Sequence, residues 1–313
     1  MIKIENFNEI IPSGITYGGH SGSKKGIIFE DERWFLKYPK STKSMDAPGL
    51  SYTTSPLSEY LGSHIYNLIG LDTHETRLGI AGDKVVIACK DFLNKNETIL
   101  DFNSIKNDYD EKIEKELEEL SSSTKKHSGT DLDEVMIIIN NNDYFKKIPA
   151  LKDHFWDMFI IDALISNNDR NDNNWGLVLN HDTMELKVSP VYDNGASFYS
   201  KTSDERIENI LSSDFKIKQV IYDSAVCSFV KDGKIVNPLK FIESMTNDEC
   251  NRALIRIFPK INLNKIKELF DNIPYCYNDL TILSNVQRKL YYESIKYKYE
   301  KVFLPIYETL MKK

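Results

Sequence analysis

The chain has 313 residues, 41% of them hydrophobic, and a formal net charge of −7 from 40 Lys and Arg against 47 Asp and Glu. That is enough apolar material for one large domain or two lobes sharing a cleft, while the acidic balance excludes a protein that coats nucleic acid, which needs an excess of clustered cations. No run approaches the ~18 consecutive apolar residues of a membrane-spanning helix, and the opening MIKIENFNEI lacks the basic and apolar regions of a signal peptide, so a cytoplasmic location is expected. Cys89, Cys227, Cys250 and Cys276 lie far apart, with neither the paired spacing of a zinc site nor the density of a disulfide scaffold, and buried reduced thiols are expected.

In chain order, residues 1–92 read as a small β-rich lobe. The segment Tyr17-Gly18-Gly19-His20-Ser21-Gly22-Ser23-Lys24-Lys25-Gly26 has four glycines just ahead of a strand, so its backbone N–H groups can approach phosphate oxygens closely; a flexible hairpin is the alternative. Gly26–Phe29 and Arg33–Lys37 flank the acidic Glu30-Asp31-Glu32 and predict a hairpin. Pro56 opens a helix running to about Ile69, with Ser55 as its cap and Gly70 as its stop. A strand over Lys84–Cys89 closes this half. Residues 93–313 read as a larger helical lobe: a charged helix over 105–120, a mobile loop at SSSTKKHSGT, and a helix over His154–Ile165 that is apolar nearly all round and therefore buried. Helical periodicity continues over 264–272 and 280–313, with Pro305 expected to break or kink the last helix. The fold class is α+β.

The strongest chemical signal follows the buried helix, in Asn167-Asn168-Asp169-Arg170-Asn171-Asp172-Asn173-Asn174-Trp175-Gly176. An Asp and an Asn five residues apart, on a loop between a helix and a short strand, suit phosphoryl transfer: Asp169 orients an acceptor hydroxyl and Asn174 helps hold magnesium. Nineteen residues later Asp193-Asn194-Gly195 supplies a second metal carboxylate, Asp193. Asx-rich turns are the alternative at both places. Lys37 ends an apolar strand, where it can reach the nucleotide phosphates and pair with Glu59; yet the apolar stripe Leu57, Leu61, Ile65 and Leu68 turns Glu59 to the other side of its helix, which leaves an exposed glutamate as the competing reading.

With these residues in order, the chain resembles the HipA-like serine/threonine kinases, above all their short members, over roughly Ser13 to Leu310. The matching segments are YGGHSGSKKG, WFLKYPK, SEYLGSHIYNLIGL, NNDRNDNNWGLVL and PVYDNG. The resemblance implies a two-lobed protein-kinase-like fold, ATP and Mg2+ as cofactors, Asp169 as catalytic residue, and Asn174 and Asp193 as metal ligands. It also implies ATP contacts from Lys37, Glu59, Gly18, Gly19 and Gly22, with Ala88, Cys89, Lys90, Asp91 and Phe92 as the hinge that receives adenine. Serine autophosphorylation in the Gly-rich loop would fall on Ser21 or Ser23 and act as an off switch. A protein substrate with a Ser or Thr acceptor is implied, and a toxin role with an antitoxin partner is left open. Asn171 stands where many relatives have His, and contacts made through the additional N-terminal subdomain of longer members are not carried over. A small-molecule or lipid kinase on the same fold, or a catalytically silent nucleotide-binding scaffold, are the competing functions.

Overall fold

The computed structural model describes residues 1–15, 17, 24–45, 47–107, 113–117 and 130–312. Its first half is built on a six-stranded sheet of β1 (Glu5–Asn6), β2 (Ile11–Pro12), β3 (Lys24–Phe29), β4 (Glu32–Lys37), β5 (Thr76–Ala81) and β6 (Lys84–Lys90). The spatial order is β1-β5-β6-β4-β3-β2, antiparallel except for the β1–β5 pair. The predicted hairpin is β3–β4. Its turn is Glu30-Asp31, both with left-handed φ (51° and 60°), the backbone that a tight two-residue connection between right-twisted strands requires.

Strand alternation decides which way Lys37 faces. Trp34 and Leu36 join Phe7, Ile27, Val86 and Ala88 in a small core on one side of the sheet, whereas Ile87 and Cys89 of β6 belong to the main core on the other. Side chains alternate along a strand, so Lys37 turns away from Trp34 and Leu36, toward the helix α1 (Ser55–Ile69). Gly70 ends α1 in a left-handed conformation as expected, but Thr54, not Ser55, is the N-terminal flanking residue, with no side-chain cap. The Ser55 hydroxyl pairs with Thr53 Oγ1 at 2.9 Å instead.

The second half is mainly helical. Leu151–Ile165 forms the buried helix, packed against Asp248–Ile257, and a three-stranded antiparallel sheet of Glu97–Asp101, Gly176–Asn180 and Leu186–Val188 carries the loop that follows it. The helix expected over 105–120 begins earlier, at Phe102 behind an Asp101 cap, and its first segment closes at Lys106; residues 113–117 are helical, and SSSTKKHSGT lies outside the described residues. The last helical stretch starts at Asn285, not 280, because Ser284 and Gln287 form a capping box and Cys276–Tyr277 pairs with Leu280–Thr281 in a hairpin. Pro305 sits in the first turn of Leu304–Leu310, where its missing N–H is tolerated. It has no N–H to return to the carbonyl of Lys301, and the preceding Lys298–Phe303 widens into π-helix. No cysteine is paired; Cys89 and Cys250 are buried, but Cys276, in the surface hairpin, is exposed. Among the described residues no helix is long and apolar enough to cross a membrane.

Candidate active site

Lys37 and Glu59, from strand and helix, meet Asp193 from the second half of the chain. Lys37 Nζ lies 2.8 Å from Glu59 Oε2 and 2.9 Å from Asp193 Oδ1. Glu59 is therefore not the exposed glutamate that the stripe pattern suggested: α1 is buried on both faces, with the Leu57 side in the core and Glu59 1% exposed under the lysine. Burial opposes charge on both groups, but Asp193 and Glu59 hold the Lys37 ammonium well above its usual range, and Lys37 and His74 hold the Glu59 carboxyl well below its own. The Lys37 charge likewise lowers the Asp193 carboxyl. Asp193 carries a left-handed φ of 62°, a conformation Asp tolerates better than most residues and one that clusters at functional sites.

His74 is a member of this site that the sequence reading missed. It is buried, and its Nε2 faces Glu59 Oε1 at 3.1 Å without the alignment of a hydrogen bond. Nothing in its local sequence, Leu71-Asp72-Thr73-His74, distinguishes it.

Behind the triad lies a second, sealed cluster. Asp162 is the lone acid in the apolar run Met158–Ile165, and it accepts from Arg170 Nε (2.8 Å), Arg170 Nη2 (3.1 Å), Tyr66 Oη (2.7 Å) and Asn167 Nδ2 (2.9 Å). Arg170 also donates to Asn194 Oδ1 at 2.6 Å, to the Asn174 carbonyl at 3.0 Å and to the Tyr192 carbonyl. Asn194 Nδ2 in turn donates to Ser63 Oγ on α1 at 3.0 Å. One guanidinium thus joins the buried helix, the loop carrying Asp169 and Asn174, and the turn carrying Asp193. Burial disfavours its charge, and Asp162 outweighs that. A carboxylate inside an otherwise apolar helix demands a buried partner, which was the available signal for Arg170. Gly62 completes the fit: a Cβ there would stand 2.8 Å from the Cβ of Asn194.

The loop itself is held from below. Ser166 ends the buried helix with φ 57°, and Lys298, fully buried, donates from Nζ to the Leu164 carbonyl at 2.9 Å and to Ser166 Oγ. With no carboxylate beside it, burial pulls the Lys298 ammonium down to about 7. Above it Asp169 is exposed; Asn171 Nδ2 donates to its Oδ1 at 3.0 Å, and Asn174 Nδ2 donates to its carbonyl at 2.7 Å.

Asp169, Asp193, Lys37 and Glu59 line one cavity of about 400 Å³. Asn174 is buried beside it, held to Asp169 through the main chain. Ala88–Phe92 are not part of that lining. Ala88, Cys89 and Lys90 end β6, and the N–H groups of Lys90 and Asp91 are used by the carbonyls of Glu75 (2.8 Å) and Arg33 (2.9 Å); the Lys90 side chain turns outward to Glu32. Phe92 faces Tyr192 with ring centroids 5.8 Å apart. Gly18, Gly19, Ser21, Gly22 and Ser23 lie outside the described residues.

No family model matches the chain. The serine/threonine-protein kinase CtkA of Helicobacter pylori strain J99 is 35% identical over 271 residues, which span 86% of this chain and 78% of that protein. Among solved structures, the crystal structure of a Helicobacter pylori proinflammatory kinase CtkA aligns with a TM-score of 0.85 at 29% identity, covering 99% of this chain and 98% of that one. HipA from a Shewanella oneidensis MR-1 toxin–antitoxin complex with HipB and operator DNA aligns with a TM-score of 0.54 at 11% identity, covering 96% and 70%, a likeness of fold alone. On the extent of the CtkA match, this chain belongs to the CtkA-like serine/threonine protein kinases, and it shares its fold with HipA.

Proposed function

We propose that this kinase transfers the γ-phosphoryl group of ATP to a protein Ser or Thr hydroxyl, with Asp169 orienting the acceptor, Asn174 and Asp193 holding magnesium, and Lys37 binding nucleotide phosphates. The observation that carries this reading is the convergence of Lys37, Glu59 and Asp193 within 2.9 Å contacts at a cavity that Asp169 also lines. Asn174 and Asp193 offer only oxygen ligands, the hard donor set that magnesium takes, and Lys37 already sits as a cation against the Asp193 carboxylate. Magnesium, when bound, offsets phosphate charge.

The protein's own part is positioning. Glu59 keeps the Lys37 ammonium aimed into the cleft, and Arg170 fixes the Asp169–Asn174 loop relative to Asp193. The exposed Asp169 carboxylate, steadied by Asn171, is free to accept a hydrogen bond from the acceptor hydroxyl. We assign the lobes to 1–92 and 93–313, and the adenine side to Ala88–Phe92, on the place of that segment at the end of β6 opposite Tyr192. Autophosphorylation on Ser21 or Ser23 would add about −1.5 to −2 charge where nucleotide phosphates sit and expel them.

The test is incubation with ATP and magnesium beside Asp169→Ala, followed by intact-mass analysis and peptide mapping. A phosphate gain in the parent alone, mapped to Ser21 or Ser23, is expected. Equal gain in both proteins would remove Asp169 from the chemistry.

A further inference from the structure

Two more lysines, Lys40 and Lys201, line the cavity, together with Ser55 and Ser200. Lys37 is committed to Glu59 and Asp193, and Arg170 to Asp162. Lys40 and Lys201, by contrast, have no ion-pair partner among the described residues. They come from opposite halves of the chain and are tied to one short ribbon. Lys40 N–H donates to Thr53 Oγ1 at 3.2 Å, Thr53 N–H donates to the Lys40 carbonyl at 2.9 Å, and Thr54 N–H donates to the Ser200 carbonyl at 2.9 Å. The main chain therefore brings both lysines to the same wall without spending either ammonium. The lining runs from Asp169 and Asp193 to Ser200 and Lys201 and includes none of Ala88–Phe92, the segment assigned above to the adenine side.

We propose that Lys40 and Lys201 form an anion subsite for the protein substrate, which takes a carboxylate or phosphate on a residue flanking the acceptor hydroxyl. The preferred substrates are then acidic or already phosphorylated Ser/Thr segments. The proposal rests on the assignment of Asp169 as the acceptor end of the site. Lys40 is half-buried and Lys201 is exposed at the rim, and two uncommitted cations facing one cavity favour such groups because a carboxylate or phosphate can take a charge-assisted contact from both.

The test is fluorescence anisotropy of the full chain with labelled peptides that carry one Ser flanked by Ala, Glu or phosphoserine. The parent should bind the Glu or phosphoserine peptide about tenfold more tightly than the Ala peptide. The larger of those two preferences identifies which anion the subsite takes. Lys40→Ala/Lys201→Ala should reduce the preference to about twofold or less, and Lys40→Arg/Lys201→Arg should keep it, with thermal melting showing both variants folded. Equal binding of all three peptides by the parent, or a preference that survives the double alanine change, overturns the subsite. So does a fall in ATP affinity as large as that in acidic-peptide affinity, which would give the lysines to the nucleotide. The readout needs no phosphoryl transfer. A chain that selects acidic peptides yet never phosphorylates them therefore keeps the subsite and retracts the phosphotransfer assignment.

Discussion

Two cation–carboxylate clusters meet at the Asp193-Asn194 dipeptide, and their surroundings differ. In the front cluster Lys37 bridges two carboxylates, one of which, on Asp193, is 28% exposed and faces the cavity. In the rear cluster Arg170 is 2% exposed, its carboxylate partner Asp162 is buried, and its remaining bonds go to neutral oxygens of three residues on two further segments. The front arrangement can exchange partners when a nucleotide and its metal arrive; the rear one cannot without leaving a charge buried and unpaired. Chemistry and rigidity are thus given to adjacent residues of one turn.

The largest expected effect tests the front cluster. Asp193→Asn keeps the size and tolerance of the left-handed backbone but removes the carboxylate proposed to hold magnesium, and phosphotransfer should fall by about 10²–10³ while the melting temperature stays near that of the parent. If the melting temperature collapses instead, the front cluster is structural. For the rear cluster the sign of the effects reverses: Arg170→Met should cost about 3–5 kcal/mol in urea unfolding by stranding Asp162, and a loss below 1 kcal/mol would show that the two clusters are alike.

Lys298 sharpens the comparison through pH. Its ammonium is pulled from 10.5 to about 7 in the folded chain, so between those values the unfolded chain binds a proton that the folded one does not. Stability should therefore rise with pH across that window, by an amount on the order of a few kcal/mol, and the rise should be absent in Lys298→Met. Unfolding curves at pH 7 and pH 9.5 decide it. The smallest effect is expected from His74→Gln, which loosens one side of Glu59 while Lys37 keeps the other: roughly a fivefold loss of phosphotransfer rate, with ATP affinity little altered.

What could be read from the sequence follows the range of the interactions. The β3–β4 hairpin, α1 with its Gly70 stop and the buried helix are local features of period and turn chemistry, and they stand within a few residues of their expected bounds. The Lys37–Glu59 pair is one of two readings of the strand lysine and helix glutamate, and Asp193 is expected only as a metal carboxylate; its direct contact with Lys37 follows from no spacing in the chain. The stripe on α1 misdirected Glu59: the helix is buried all round over Pro56–Ser63, and what reaches solvent is its last turn, with Asn67 and the stripe's own Leu68. His74 and Lys298 act across long stretches of chain, Lys298 reaching back to Leu164, and no spacing rule connects such positions. Lys40 and Lys201 are ordinary lysines until the Thr53-Thr54 ribbon brings them to one wall.

α1 belongs to the sheet by sequence, yet Ser63, Tyr66 and the bare backbone at Gly62 are fitted to Asn194, Asp162 and the turn they hold. One apolar cluster also runs without interruption from Ile4 through Leu61 and Ile65 to Ile306. The lobes are therefore not separable goods for the protein chemist. A fragment cut near residue 92 would carry α1 with its inner side uncovered and a tyrosine and a glycine facing water where they were shaped for a neighbour. Such a piece would be recovered as aggregate, and the kinase has to be produced and studied whole.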